Sequence, residues 1–169
     1  MFTRLMSCMV FLACLTSQEV GGQETRAYLK ERAERLQVKA VVGKLKADGS
    51  QVITVTLSID KGWYVYANPT GLGEDIDDFY QLTVKAQTKA KVKIDYPPGK
   101  EVEDKGIGKW RKYEGKVMIP VTVWRAKGDQ APLDLHVRFA LRKGAICAVP
   151  QSTSVTVLFS NRPESKPKR

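Results

Sequence analysis

Lys116-Val117-Met118-Ile119-Pro120-Val121-Thr122-Val123-Trp124 places Val117, Ile119, Val121 and Val123 on one side of an extended chain and polar or amphipathic residues on the other. Side chains alternate faces along a β-strand, so a period of two marks a strand with one buried face. After Ala131-Pro132 the same period returns in Leu133, Leu135, Val137 and Phe139, and again in Val155, Val157 and Phe159. Upstream it runs through Val92, Ile94 and Tyr96 before Pro97-Pro98-Gly99, and through Leu82, Val84 and Ala86. It also runs through Val38, Ala40 and Val42, then Val52, Ile53, Val55, Leu57 and Ile59, split by Asp48-Gly49, a strong hairpin signal. Asp60-Lys61-Gly62 turns the chain into Trp63-Tyr64-Val65-Tyr66, which Asn68-Pro69-Thr70-Gly71 ends. Alternation puts Trp63 and Val65 on one face and Tyr64 and Tyr66 on the other. Lys100 to Lys112 shows no period and reads as a loop. About nine short strands, with no convincing helix between them, predict an all-β, immunoglobulin-like antiparallel β-sandwich.

Around that sandwich, expected over residues 38–161, the flanks differ in character. Residues 1–22 carry Arg4, then an apolar run from Leu5 to Leu15, and end in Gly21-Gly22; they read as a signal peptide. That run is shorter than the ~18–20 residues needed to span a bilayer, and no later segment reaches that length, so a mature chain without a transmembrane segment is expected in the periplasm or another extracytoplasmic space. Cys14 gives a poor match to a lipoprotein cleavage box, a minor route to anchoring. Residues 23–37 form a charged leader or short helix, with Tyr28, Leu29, Ala33 and Leu36 at loosely helical spacing. Residues 162–169 form a basic tail expected to be disordered.

Of 169 residues 43% are hydrophobic and 27% charged, an ordinary globular balance, and the formal net charge is +10. Because the lysines and arginines alternate with apolar residues on strands, they read as a solvated face, and nucleic-acid binding is not expected. His136 stands out of phase with its apolar neighbours on a strand, so no metal site is expected from one histidine and scattered cysteines. Gly106-Ile107-Gly108 lacks the third glycine and the strand-to-helix setting of a nucleotide loop, and no cofactor is implied. Removal of residues 1–22 takes Cys8 and Cys14 with it and leaves Cys147 as the sole thiol. Two fates are open to it. Arg142 and Lys143 would favour a thiolate, lowering a pKa that starts near ~8.5, whereas Ile146, Ala148 and Val149 would bury the sulfur and raise it.

Four stretches in register give the chain a family likeness: Gly62-Trp63-Tyr64-Val65-Tyr66 with Asn68-Pro69, Val92-Lys93-Ile94-Asp95-Tyr96-Pro97-Pro98-Gly99, Tyr113-Glu114-Gly115-Lys116-Val117 into Ile119-Pro120-Val121, and the strand into Cys147 with Pro150. Together they resemble the N-terminal periplasmic domain of the thiol:disulfide interchange protein DsbD over about residues 40–160. The resemblance implies an immunoglobulin-like sandwich in which two cysteines, five or six residues apart on adjoining strands, relay reducing equivalents from a membrane-embedded redox partner to periplasmic thiol proteins. Cys147, with Pro150 following, corresponds to the second cysteine; the first would fall at Leu141 or Arg142, neither of which can exchange disulfides. The family's cap loop with its aromatic shield would correspond to Gly106-Ile107-Gly108, where Ile107 stands and Trp110 is close enough to substitute, and Tyr64 and Tyr66 match aromatic positions beside the redox site. A dithiol reductase is therefore not expected. Two functions follow: a redox-degenerate interaction module for an envelope protein, or a single-thiol exchange component working through Cys147.

Overall fold

The computed structural model describes residues 35–126, 128–144, 146–147 and 149–159, with backbone only at 75, 76, 146 and 147. The expected signal peptide with Cys8 and Cys14, the leader up to Glu34, and the basic tail lie outside these residues. In chain order the elements are β1 (Leu36–Leu45), β2 (Ser50–Ile59), β3 (Tyr64–Tyr66), α1 (Glu74–Tyr80), β4 (Thr83–Gln87), β5 (Lys91–Ile94), β6 (Lys100–Asp104), β7 (Gly108–Tyr113), β8 (Lys116–Trp124), β9 (Leu133–Phe139), β10 (Leu141–Lys143), β11 (Ile146–Cys147) and β12 (Gln151–Val157).

All strand pairings are antiparallel, in sheets ordered β1-β2-β8-β5, β11-β10-β3-β7-β6 and β12-β9-β4. The β1–β2 hairpin turns at Asp48-Gly49, where Gly49 takes φ 77° and the Asp48 carboxylate accepts from the Ser50 amide at 2.9 Å and hydroxyl at 2.7 Å. Those bonds hold the Asp48 carboxyl below its usual range. In the β2–β8 register, Ile53, Val55 and Leu57 meet Val121, Ile119 and Val117, so the inward residues of both strands fall in one layer. Pro120, mid-strand, keeps its carbonyl toward β5, accepting from Asp95 N at 2.9 Å. Its missing N–H therefore lies on the side where β5 has already ended, and the β2–β8 ladder is intact.

Against this sheet pack the inward residues of the other two: Val84 of β4, Leu133, Leu135, Val137 and Phe139 of β9, Val157 of β12, Val65 of β3 and Leu141 of β10, all in one buried cluster. Each fully buried aliphatic side chain contributes roughly 1.5–3 kcal/mol, and a one-residue slip of any strand would turn its whole set outward, so the pattern fixes the register. The second and third sheets join at two points. Tyr66 bridges to Gln81, with Leu82 N donating to Tyr66 O at 3.0 Å, and β9 passes into β10 through the fully buried Ala140.

Two expectations are corrected. Residues 100–112 form the β6–β7 hairpin, not a loop: only Val102 and Trp110, paired across it, pack against the aromatic side chains on the outer face, and most of the rest is charged and exposed. Its period is hidden because pairing is stabilised by cross-strand charge, with Glu101 opposite Arg111 and Glu103 opposite Lys109. Lys109 Nζ also lies 3.3 Å from Glu101 Oε1. The second correction is α1, a helix where none was expected. At seven residues it is too short to show a helical period, and tertiary bonds hold it: Thr70 Oγ1 donates to the Asp77 carboxylate, and Arg138 Nη1 donates to Asp78 O at 2.8 Å. β1 also starts at Leu36, two residues before the alternation is legible.

Candidate functional site

The site grows from β10. Its register sets Leu141 against Val65 and Arg142 against Tyr64 on one side, and Arg142 against Cys147 and Lys143 against Ile146 on the other. Leu141 is fully buried in the main core. Alternation then puts Arg142 on the opposite, outer face, which Tyr64 and Tyr66 share. There the Arg142 guanidinium lies 5.4 Å from the Tyr66 ring centroid and donates to the Tyr66 hydroxyl. Of the two candidate positions for a partner to Cys147, the ladder places Arg142 directly across from it and Leu141 one step inward.

Beside Arg142 the outer face is a packed aromatic patch. The Trp110 ring sits 5.5 Å from Tyr64 and 5.2 Å from Tyr66, Tyr64 meets Tyr66 edge-on at 6.2 Å, and Tyr80 of α1 reaches Tyr66 at 5.7 Å. Tyr66 and Trp110 are buried, with Leu72 and Val102 packed at the margin. Trp110 Nε1 is enclosed with no hydrogen-bond partner, which sets a desolvation penalty against the stacking energy of the patch. Lys112 Nζ lies 4.8 Å from the Tyr64 centroid at its edge, whereas Lys143 Nζ lies 5.8 Å from the centroid of Trp63, which packs on the core side and not in the patch.

The structure thus brings together Tyr64, Tyr66, Trp110 and Arg142, with the backbone of Cys147 paired alongside. It does not bring in Leu141, or Ile107, which stands 56% exposed in the β6–β7 turn outside the aromatic cluster. Pro150 is half-buried in the connection to β12. The Cys147 side chain, and with it the question of burial or exposure, lies outside the described residues. Tyr80, Leu72 and Lys112 belong to the site and carry no strand-period signal; the pair Phe79-Tyr80 in an otherwise acidic stretch is the sequence feature that could have shown it. His136 faces outward, its Nδ1 2.9 Å from Ser154 Oγ. Among the described residues no group of three His, Cys, Asp or Glu side chains converges on a metal position.

The family model for the N-terminal domain of the thiol:disulfide interchange protein DsbD matches residues 32–158. The chain belongs to that family. No curated protein sequence matches it. Among solved structures it is similar to the N-terminal periplasmic domain of ScsB from Proteus mirabilis, with TM-score 0.53 and 16% identity, covering 74% of this chain and 46% of that one. The chain thus spans less than half the length of that relative. It is also similar to the Neisseria meningitidis DsbD N-terminal domain in the reduced form, with TM-score 0.50 and 17% identity over 75% of this chain and 86% of that one. A third similar structure is the complex between the DsbD and PilB N-terminal domains of the same organism, with TM-score 0.51 and 16% identity over 76% of this chain and 89% of the matched one. At such identities these structures support the sandwich fold, and the site rests on its own residues.

Proposed function

We propose that this domain works outside the cytoplasm as a docking module for a thiol protein, on an interchange scaffold whose dithiol has been reduced to Cys147. One observation carries the reading: the position across the ladder from Cys147 is Arg142, held by its bond to the Tyr66 hydroxyl and by its place over the Tyr66 ring. A dithiol cycle needs a second thiol at that position to expel the partner from a mixed disulfide, and a guanidinium cannot do so. The complex of a DsbD N-terminal domain with a PilB N-terminal domain supports a protein partner, and the signal-like leader and the periplasmic ScsB domain support an extracytoplasmic setting.

A second reading, single-thiol exchange, draws on the same register. Arg142 and Lys143 stand opposite Cys147 and Ile146, a positive setting that favours a thiolate. The thiolate would attack a partner's disulfide, releasing one partner thiolate and leaving a mixed disulfide that only an external thiol resolves. Labelling of Cys147 with a thiol reagent across a pH series, with Cys8 and Cys14 replaced by serine, separates the two. The docking reading expects labelling only after denaturation. Rapid labelling of the folded chain, with an apparent pKa well below ~8.5, replaces it with single-thiol exchange.

A further inference from the structure

Where Pro97-Pro98-Gly99 carries the chain from the first sheet to the second, the surface holds an open concavity of about 380 Å³. Its floor is apolar, made by Pro97, Pro98 and Met118, and Met118 is 58% exposed. Lys100, Lys112 and Lys116 stand around it with Glu114, the one carboxylate in its lining, leaving an excess of two positive charges. Glu114 already shows how a carboxylate sits here, with Oε1 2.5 Å from Lys112 Nζ and Oε2 3.3 Å from Lys100 Nζ. Lys112 is also the cation over the Tyr64 ring, so the concavity and the aromatic face share a side chain. Apolar floor and cationic rim call for a ligand with the reverse arrangement, an apolar anchor flanked by carboxylates.

We propose that this groove is the second contact of the docking module and takes an acidic segment of the thiol partner, one apolar side chain packing on Met118 and Pro98 while its carboxylates engage Lys100 and Lys116. The proposal rests on the docking reading for the partner's identity, and Glu114 stands in for the partner's carboxylate in the free domain. A contact of this kind sets the encounter rate and the orientation in which a partner's cysteine reaches the aromatic face.

The test uses a synthetic peptide with one leucine flanked on each side by glutamates, without cysteine, titrated into the ¹⁵N-labelled full chain. The expected result is amide shifts confined to Lys100, Lys112, Lys116, Met118 and their neighbours. Lys100→Glu with Lys116→Glu should weaken binding by about tenfold, since both attractions become repulsions. Met118→Ala should weaken it severalfold, and Lys85→Glu, on the outer face of the third sheet, should leave it unchanged. All four positions are exposed, so these variants keep the fold. Equal binding of a peptide with glutamine for leucine, or shifts scattered over the lysines, would overturn the proposal by showing general attraction of polyanions. Because the peptide has no thiol and its binding is read at the groove, the groove can fail while Cys147 still labels only after denaturation, and can stand where rapid labelling of Cys147 overturns the docking reading.

Discussion

Replacing Arg142 by cysteine, in a chain with serine at positions 8 and 14, tests the geometry of the site most directly. Residues directly opposite across an antiparallel pair hold their Cβ atoms ~4.5–5.5 Å apart, and a disulfide needs ~3.5–4.5 Å, so a small local closure joins Cys147 to the new thiol. The ring so closed spans about six residues, for which the chain-entropy relation gives roughly 2 kcal/mol of stabilisation of the oxidised over the reduced form. For a domain of this size that corresponds to a rise in melting temperature on the order of 8 °C. The substitution also removes the guanidinium from Tyr66, costing about 1–2 kcal/mol. Both redox forms of the variant lack it, so the difference between them isolates the disulfide. Thiol counting before and after mild oxidation, mass measurement for the loss of two hydrogens, and paired thermal melts make the assay. Two thiols that persist in the folded, oxidised sample, or bridges formed only between chains, would refute the register of Arg142 with Cys147.

A Cβ built on Gly99 falls 2.5 Å from Ala67 Cβ, 3.0 Å from Arg111 Cβ and 3.2 Å from Lys112 O, so Gly99→Ala should lower stability by about 1–3 kcal/mol in urea unfolding, and an unchanged midpoint would contradict the close approach of these strands. Burial raises the pKa of the Tyr113 hydroxyl, which donates to Pro97 O at 2.7 Å, above the ordinary tyrosine value of 10.0. Burial likewise raises that of Tyr96, whose hydroxyl accepts from Val84 N at 2.8 Å. A raised folded pKa gives stability that is complete below the unfolded value and lost as pH climbs through the folded one. Urea midpoints should therefore hold up to about pH 9 and fall above pH 10, with a shallower fall in Tyr113→Phe; equal slopes in the two proteins would remove Tyr113 from the cause.

Strands with one face in the core were legible because burial imposes the period: Ile53, Val55 and Leu57 on β2 and Val117, Ile119 and Val121 on β8 are both the pattern and the contact. The split of Trp63 and Val65 from Tyr64 and Tyr66 was legible for the same reason. The β6–β7 hairpin was not, because its pairing is decided by Glu101, Glu103, Lys109 and Arg111 on surfaces that stay wet, where any polar residue fits. Within the site, Tyr64, Tyr66, Trp110 and Arg142 could be named from sequence, but which of Leu141 and Arg142 faces Cys147 depends on a register that a three-residue strand does not encode by itself. Tyr80 and Lys112 join through tertiary approach, across 14 positions from Tyr66 in one case and through the β3–β7 pairing in the other.

Ala140 divides the chain between two mechanical regimes. Before it, β9 is held on both sides by seven and five register pairs, from β12 and β4; after it, β10 is held by two on each side. Amide exchange should run faster through 142–147 than through 133–139, because opening the ribbon leaves Leu135 and Val137 covered. The residue at 142 can therefore change, and with it the chemistry available to Cys147, at an expense of a kilocalorie or two and with the sandwich still folded.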